Sequence, residues 1–561
     1  MRSPSLLFIV FLLIAVPTFG HRLWDAKDQK GAHYAESALP MVMESVQSVT
    51  SSHLPIVLIN TYGAQIPDEP KISAYMQIIH HGDGRLNRVS DAEFHYQGPV
   101  GIEIRGQSSQ MFPKKSYGFE TRDSAGEEDK VDLLGFGEHD DWVLYAPYSD
   151  KSMLRNDLTY ALGRKLGRWQ PGAQFVEVFL NGNYIGVYQL IERIKRGGDR
   201  LDLTKMGSGD NAGDALTGGY IFKVDKIHDL GPNEYFYTSP TYRYKNARNY
   251  AFSYYYPKST NITAAQKQYL QYYLYTFENN LNAPWFTSET TGYRQYIDVE
   301  SFIDFQIINE LTNNVDGYRY SAFFHKQRDS KGGKMVAGPL WDFDLGYGNL
   351  NFSSRHQSSQ NWAYLNYGTD ENYCMHWWAR LMEDPRYETE LKLRWSELRH
   401  TTLHTDSIMD YIDQRVALLD SAVERNFTRW PILGVWVWPN NFVGPTYETE
   451  VYSLKNWIRH RLNWMDDYWM LTTSLDSPAT THQIRLFPNP ATESISVVLV
   501  HGGSTKLQLY NSSGVRVKET HVESFPGSTY RLNLEPLPPG VYLLRVLVDQ
   551  TPPSVHKIIK L

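Results

Sequence analysis

One cysteine, Cys374, in a chain of 561 residues leaves no intrachain disulfide to staple the fold, so burial of apolar surface must hold it together. The constraint is sharp because the chain opens like an exported protein. Arg2 is followed by an apolar core over 6–16 and small residues near 18–20, a signal peptide over 1–20. That core is shorter than the roughly 20 residues of a bilayer span, and no later stretch is apolar enough for a transmembrane span after signal removal. Secreted domains without disulfides need length, and the chain has it. Its 39 Tyr and 15 Trp suit large packed surfaces and carbohydrate contacts alike. A net charge of −7 leaves no basic footprint, so nucleic acid is not an expected partner.

The pattern along the chain predicts an α+β fold. After a linker over 21–52, strands are expected over 54–60, 72–79, 100–105 and 115–121, with the loop Gly-Gln-Ser-Ser-Gln-Met-Phe-Pro before the last. Ser149 or Asp150 caps a helix through about Leu166, with Met153, Leu154, Leu158, Leu162 and Leu166 on one face. Asn181-Gly182 between two apolar runs signals a two-residue hairpin. A strand over 220–224 closes this β-rich half at about 225. Residues 226–260 read as an irregular, Tyr-rich surface insertion, and helices dominate after about 263. One of these, with Phe302, Ile303 and Ile307, is capped by Asp298 and runs out at Asn313.

Beyond it, the stretch from Asn313 to Asn349 reads as strand, polar turn over 329–334, and returning strand. The first strand is expected over 317–325, where Tyr318, Tyr320 and Phe324 alternate with smaller residues. Asp316 and Asp342 stand at the two feet of this hairpin, which chain geometry should bring together. Two neighbouring carboxylates are candidates for a metal site, or for a base beside a metal. On its own, Asp342 would also suit a turn cap. The tryptophans Trp377, Trp378, Trp395, Trp457 and Trp464 read as helical core. His80, His81 and His139 lack zinc-ligand spacing.

Several ordered stretches resemble the CotH kinase-like family, secreted relatives of spore-coat protein H. They are RGQSSQMFPKKSYGFE, DKSMLRNDLTYALG, FVEVFLNGNYIGVYQLIERI, NNVDGYRYSAFF and GPLWDFDLGYGN, spread over residues 54–350. The resemblance implies an atypical, two-lobed protein-kinase-like domain over 53–470 that binds ATP with Mg²⁺ (or Mn²⁺) and phosphorylates protein hydroxyls. By position it implies Asp316 as the catalytic aspartate and Asp342 as the metal ligand, with Asp344 and Asn313 as helpers. Lys115, or its neighbour Lys114, would contact the phosphates, with Ser108 and Ser109 beside it, and Glu192 would lie near the adenine. Glu192, Arg193 and Lys195 equally suit a surface ion-pair cluster. Three features depart from the kinase pattern: the G-x-G-x-x-G loop is missing, and the helix after Asp150 has no glutamate for Lys115. Asp157, Glu103 or Glu177 would have to serve. Ser321 stands where a second, amide metal ligand belongs, and Asn313 or Asn314 could compensate. A weakly active or inactive surface protein that binds a protein or glycan, and a carbohydrate-directed phosphotransferase, are the alternatives.

After a linker over 471–482, residues 483–561 change character: short alternating strands with Pro and Gly turns, a small β-sandwich. The PNP opening, the Asn-Ser-Ser-Gly-Val-Arg-Val turn, Pro-Gly-Val-Tyr-Leu-Leu-Arg-Val and the basic end with Lys557 and Lys560 resemble the C-terminal sorting domain of the type IX secretion system of Bacteroidetes. That resemblance implies passage through periplasm and outer membrane on the secretion machinery, and a secreted or cell-surface destination.

Overall fold

The structure, a computed structural model, describes residues 49–82, 84–367, 373–470, 485–487, 489–499, 503–511, 515–524, 528–548 and 554–561. The signal peptide, all of the first linker before residue 49, and the linker over 471–482 lie outside the described residues. The chain divides into two compact units. The first runs to Tyr160 and adds Pro171–Asp202 and Asp413–Glu450; the second holds Ala161–Gln170, Leu203–Ile412 and Val451–Leu561.

The first unit is built on a closed seven-stranded barrel. Its strands are β1 (Ile56–Asn60), β2 (Ile72–Ile79), β3 (Tyr96–Arg105), β4 (Ser116–Thr121), β5 (Asp141–Tyr145), β6 (Ala173–Leu180) and β7 (Asn183–Glu192). Every second residue points inward, as the two-residue period of a strand requires. Ala74, Met76 and Ile78, then Val100 and Ile102, Trp142 and Leu144, Val176 and Val178, and Tyr188 and Leu190 fill one core. The parallel pairing of β6 with β1, Glu177 opposite Ile56 through Leu180 opposite Ile59, closes the ring. Closure removes exposed strand edges, which suits a secreted chain without disulfides. Pattern alone carries no signal for that closure. The Asn181-Gly182 hairpin forms as expected: both residues have positive φ, 49° and 78°, and Leu180 pairs with Asn183.

The helix α1 (Arg155–Lys165) starts later than the capping residues suggested. Met153 has φ 63°, a left-handed turn that keeps 150–154 out of the helix. Asp150 still supports its start, with Oδ2 accepting from the Arg155 backbone N–H at 3.0 Å. The five expected apolar residues of this segment are buried.

The second unit contains an antiparallel five-stranded sheet in the order β9–β10–β8–β11–β12. These are β8 (Tyr220–Val224), β9 (Tyr235–Tyr237), β10 (Ala251–Tyr256), β11 (Ala322–Lys326) and β12 (Met335–Ala337). Two expectations change here. The strand over 220–224 pairs with β11 of the carboxylate hairpin instead of joining the barrel. The Tyr-rich stretch 226–260 is not wholly irregular, since it supplies β9 and β10. Two helices flank the region: α2 (Ala264–Asn282), with a Thr263/Gln266 capping box, and α3 (Val299–Thr312). As expected, Asp298 caps α3, accepting from Ser301 N–H at 2.8 Å. Trp377, Trp378 and Trp395 are fully buried, whereas Trp457 and Trp464 on α4 (Tyr447–Trp469) are half-buried.

The C-terminal segment is all β. Strands β13 (Arg485–Phe487), β14 (Ser494–Leu499) and β17 (Ser528–Asn533) form one sheet. Strands β15 (Gly503–Asn511), β16 (Arg516–Ser524), β18 (Gly540–Val548) and β19 (Ser554–Lys560) form the other. One core, including Ile495, Val497, Leu509, Leu532, Leu544 and Ile558, serves both sheets. Among the described residues no helix is long and apolar enough to cross a membrane.

Candidate active site

The helix α3 ends at Asn313, whose φ of 44° puts it in the left-handed region and breaks the helix. The next residues form a turn, not the strand that the Tyr318/Tyr320 alternation suggested. Backbone N–H groups of Arg319 and Tyr320 both donate to the Asp316 carbonyl, at 3.0 and 2.8 Å. Ser321, with φ 51°, ends the turn, and β11 begins only at Ala322. The aromatic alternation has another cause. Tyr318 is buried against Phe305 and Trp378, and its hydroxyl is satisfied by donating to Glu310 Oε1 at 3.0 Å.

The two hairpin feet are clasped by Asn314. Its Oδ1 accepts from the Asp316 N–H at 3.2 Å, and its Nδ2 donates to the Asp342 carbonyl at 3.0 Å. The turn after α3 and the turn after β12 are thus joined by one buried amide. Asp316 is half-buried, and its Oδ1 accepts from Arg319 Nε at 3.0 Å. The Arg319 guanidinium lies 4.5 Å from the centre of the Tyr320 ring, which fixes it from the other side. Asp342 is exposed and has φ 68°, a backbone state uncommon for a residue with a Cβ. Strain of this kind concentrates at functional sites.

The loop after Asp342 is docked onto the end of α3. Tyr347 N–H donates to the Thr312 carbonyl at 2.6 Å, and Asn349 Nδ2 holds the Asp344 carbonyl at 2.9 Å. Gly346 permits this approach: a Cβ there would sit 3.3 Å from Thr312 Cβ and 3.1 Å from the Phe343 carbonyl. Asn313 is fully buried. Its Nδ2 donates to the carbonyls of Arg355 and Ser358, at 3.0 and 2.9 Å, while Oδ1 has no partner among the described residues. No cluster of three or more His, Cys, Asp or Glu side chains suited to a metal occurs among the described residues.

Beneath the clasp lies a buried ion pair that pattern reading missed. Arg461 Nη2 is 3.1 Å from Glu310 Oε2, and both side chains are fully buried. The Glu310 carboxylate also accepts from the N–H groups of Ala363 and Tyr364, at 2.9 Å each. Burial raises the Glu310 pKa and lowers that of Arg461 to about 10, although each charge favours the other. Desolvation outweighs attraction in both directions. Such pairs, fully hydrogen-bonded, fix geometry more than they add stability. Only the acidic residue in the last turn of an apolar helix hinted at it.

In the first unit, Lys115 Nζ donates to the Gln110 carbonyl at 2.5 Å, and partial burial lowers its pKa. Among the described residues it makes no ion pair. The three carboxylates considered for it are engaged elsewhere: Glu177 with Arg425 at 2.7 Å, Asp157 with Arg415 at 3.0 Å, and Glu103 near Lys71 at 3.6 Å. Lys114 is the buried one. Its Nζ donates to the Val187 carbonyl at 2.6 Å and to Asn426 Oδ1 at 2.9 Å, over the Tyr188 ring. Ser108 and Ser109 lie on a short 3-10 turn, half-buried. Ser109 Oγ fills the space a Cβ on Gly106 would need, and Gly106 has φ 96°. Glu192 is not part of a surface cluster with Arg193 and Lys195. It is buried, its Oε2 accepts from Gly172 N–H at 2.7 Å, and Arg200 Nε lies 3.5 Å from Oε1. Arg193 and Lys195 turn instead to Asp141 and Asp140.

Residues 102–465 match the family model described as CotH kinase protein. The chain belongs to the CotH kinase protein family. Each proposed site residue lies inside the matched part of this CotH chain. Residues 485–561 match the secretion system C-terminal sorting domain, which directs the protein through type IX secretion to the cell surface or the extracellular space. Among solved structures, the crystal structure of dimeric latent PorU from Porphyromonas gingivalis is similar over 16% of this chain at 20% identity. The TM-score is 0.13, and the match spans 10% of that protein, so it bears on neither fold nor activity. No curated protein matches the chain.

Proposed function

We propose that this CotH protein is an exported atypical kinase of two-lobed, kinase-like fold that transfers the γ-phosphoryl group of ATP to a protein hydroxyl. The observation that carries the reading is the Asn314 clasp, which holds a half-buried aspartate and a strained, exposed aspartate on adjoining turns. Asp316, oriented by Arg319, accepts the proton of the attacking hydroxyl. Magnesium uses one or two carboxylates and completes its shell with water and phosphate oxygens. Asp342 and Asp344 fit that demand, with the Asn313 side-chain oxygen, which has no partner among the described residues, as a further donor. Bound there, the ion would neutralise phosphate charge. In the first unit, Lys115 with Ser108 and Ser109 is assigned to the phosphates. The buried bonds of Glu192 point to a role in holding Gly172 and Arg200, with an adenine contact secondary.

We also propose that the kinase-like domain covers 53–470 and the sorting sandwich 483–561, with the secretion machinery as the partner of the latter. A second reading, a partner-binding protein without catalysis, is favoured by Ser321 and by Lys115 holding a carbonyl instead of a carboxylate. Incubating the purified protein with labelled ATP and Mg²⁺ or Mn²⁺ separates the two. The expected result is label transfer that falls at least a hundredfold in Asp316→Ala and Asp342→Ala. Equal labelling in all three proteins refutes the kinase assignment, and a wild-type protein that neither transfers label nor binds nucleotide by calorimetry favours the second reading. Transfer to an oligosaccharide in place of protein would make the acceptor a carbohydrate.

A further inference from the structure

The exposed face of α2 carries a strip that the phosphotransfer site does not use. Tyr272, Tyr275, Asn279 and Asn282 recur at intervals of three and four along the helix, so they share one face. They span about 15 Å. Beyond the helix end, Trp285 is 44% exposed and Tyr242 is 38% exposed, their rings at 83° with centres 5.2 Å apart. These rings are held in place. Asn279 Oδ1 accepts from the Tyr242 N–H and Asn282 Nδ2 donates to its carbonyl, at 3.1 Å each. Asn280 Oδ1 accepts from the Trp285 indole N–H at 3.1 Å. With its indole N–H already bonded, the exposed part of Trp285 is apolar ring surface.

A buried group continues the strip inward. Asn282 Oδ1 meets His376 Nε2 at 2.9 Å, so that nitrogen carries the proton and Nδ1 is an acceptor. His376 is 3% exposed, its buried Nδ1 has no partner among the described residues, and it lines a small cleft together with Asn282, Glu278, Arg243 and Arg248. Among the described residues Arg243 makes no ion pair, and the Arg248 guanidinium rests on the Tyr373 ring at 4.5 Å.

We propose that this strip is a carbohydrate-binding site for an acidic oligosaccharide. A pyranose offers a flat face of C–H groups and a fringe of hydroxyls. It therefore needs rigid ring faces interleaved with amides and hydroxyls, which the strip supplies. The arginines beside it match a sugar carboxylate. A protein partner fits less well, since a stable interface buries about 800 Å² per side around an apolar core, and here amides flank two separate pairs of rings. The cell-surface or extracellular destination gives such a site access to polysaccharide.

Calorimetric titration of the whole protein with a short oligogalacturonate, and with the neutral galactose oligomer of equal length, tests the proposal. Binding of the acidic oligomer is expected to weaken about tenfold or more in Trp285→Ala and in Tyr242→Ala, and to survive in Trp285→Phe, which keeps a ring. Arg243→Ala should remove the preference for the acidic oligomer, and Trp436→Ala, an exposed tryptophan of the other unit, should change nothing. Binding of neither oligomer at millimolar concentration overturns the proposal, as does unchanged affinity in Trp285→Ala. Equal affinity for the two oligomers overturns the acidic preference. No phosphotransfer enters this measurement, so its result is independent of the kinase assignment.

Discussion

Glu278 should make the stability of the second unit fall as pH rises toward neutrality. It is 2% exposed on α2, and its carboxyl faces Thr238 Oγ1 and the Trp377 indole N–H, which donates at 2.9 Å. Among the described residues no cation pairs with it. Burial raises its pKa from 4.5 to about 7. Below pH 4.5 the carboxyl is protonated in folded and unfolded chains alike. Between 4.5 and 7 the unfolded chain releases the proton while the folded chain keeps it, so rising pH favours unfolding. Above 7 the loss is complete. The stability at stake is about 3 kcal/mol. Glu278→Gln reproduces the protonated acid: its carbonyl still accepts from Trp377, and its amide donates to Thr238. The histidines His325, His356 and His376, lowered to about 4, 3 and 3, act in the opposite sense by losing stability as pH falls below 6.5. They are common to both proteins, so the comparison cancels them. Thermal unfolding at pH 5 and pH 8 should show the wild type losing roughly 5–10 °C more than Glu278→Gln on going to pH 8. Parallel pH profiles in the two proteins would refute a buried, protonated Glu278.

Arg461→Met leaves the Glu310 carboxylate buried without its cation and should cost about 3–5 kcal/mol, read as a lowered melting temperature. A change below about 1 kcal/mol would show that the pair is not desolvated. Asn314→Ala removes both bonds of the clasp and should cost about 1–3 kcal/mol. Under the kinase reading its phosphotransfer rate falls while the melting temperature stays well above the assay temperature, and an unchanged rate would separate the clasp from function. Burial lowers the Lys114 ammonium pKa well below 10.5, so the unfolded chain binds the proton that the folded chain lacks, and stability rises with pH toward 10.5. Lys114→Met should flatten that rise in melting curves between pH 7 and pH 9.5, and identical slopes would place a charged ammonium in the barrel.

Local signals with one physical meaning were legible. Asn-Gly between two strands permits φ values that few other pairs tolerate, and Asp298 before an apolar helix satisfies its first free N–H groups. Signals that depend on partners far away in sequence were not. The parallel closure of β6 on β1 joins residues about 120 apart, and nothing in either strand marks it. The strand β8 has the same alternation as a barrel strand but finds its partner in β11. Tyr318 and Tyr320 showed strand periodicity inside a turn because one of them is buried against Phe305 and Trp378 and bonded to a buried glutamate, contacts periodicity does not encode. At the site, the hairpin between Asp316 and Asp342 was legible, but the amide joining the turns at its feet was not. Asn314 was legible only as a possible metal ligand, because asparagine is common in turns whatever it bonds to.

The adjacent lysines show why residue type alone underdetermines a site. Lys114 and Lys115 stand side by side just before β4, one of them buried and the other half-buried. Nothing in Pro-Lys-Lys-Ser says which. The structure sends Lys114 inward, to two oxygens and a ring, where an ammonium is costly and a neutral amine is satisfied. Held by Val187 and Asn426, it ties together segments of the first unit that are far apart in sequence. Lys115 keeps one carbonyl of its own loop, with solvent on the other side. A phosphate competes well for that ammonium, because the exchange replaces a neutral acceptor with a charged one. It competes poorly for Lys114, which is buried and already donates to two oxygens. The assignment of Lys115 to the phosphates therefore rests on its neighbour being the lysine that the fold itself consumes.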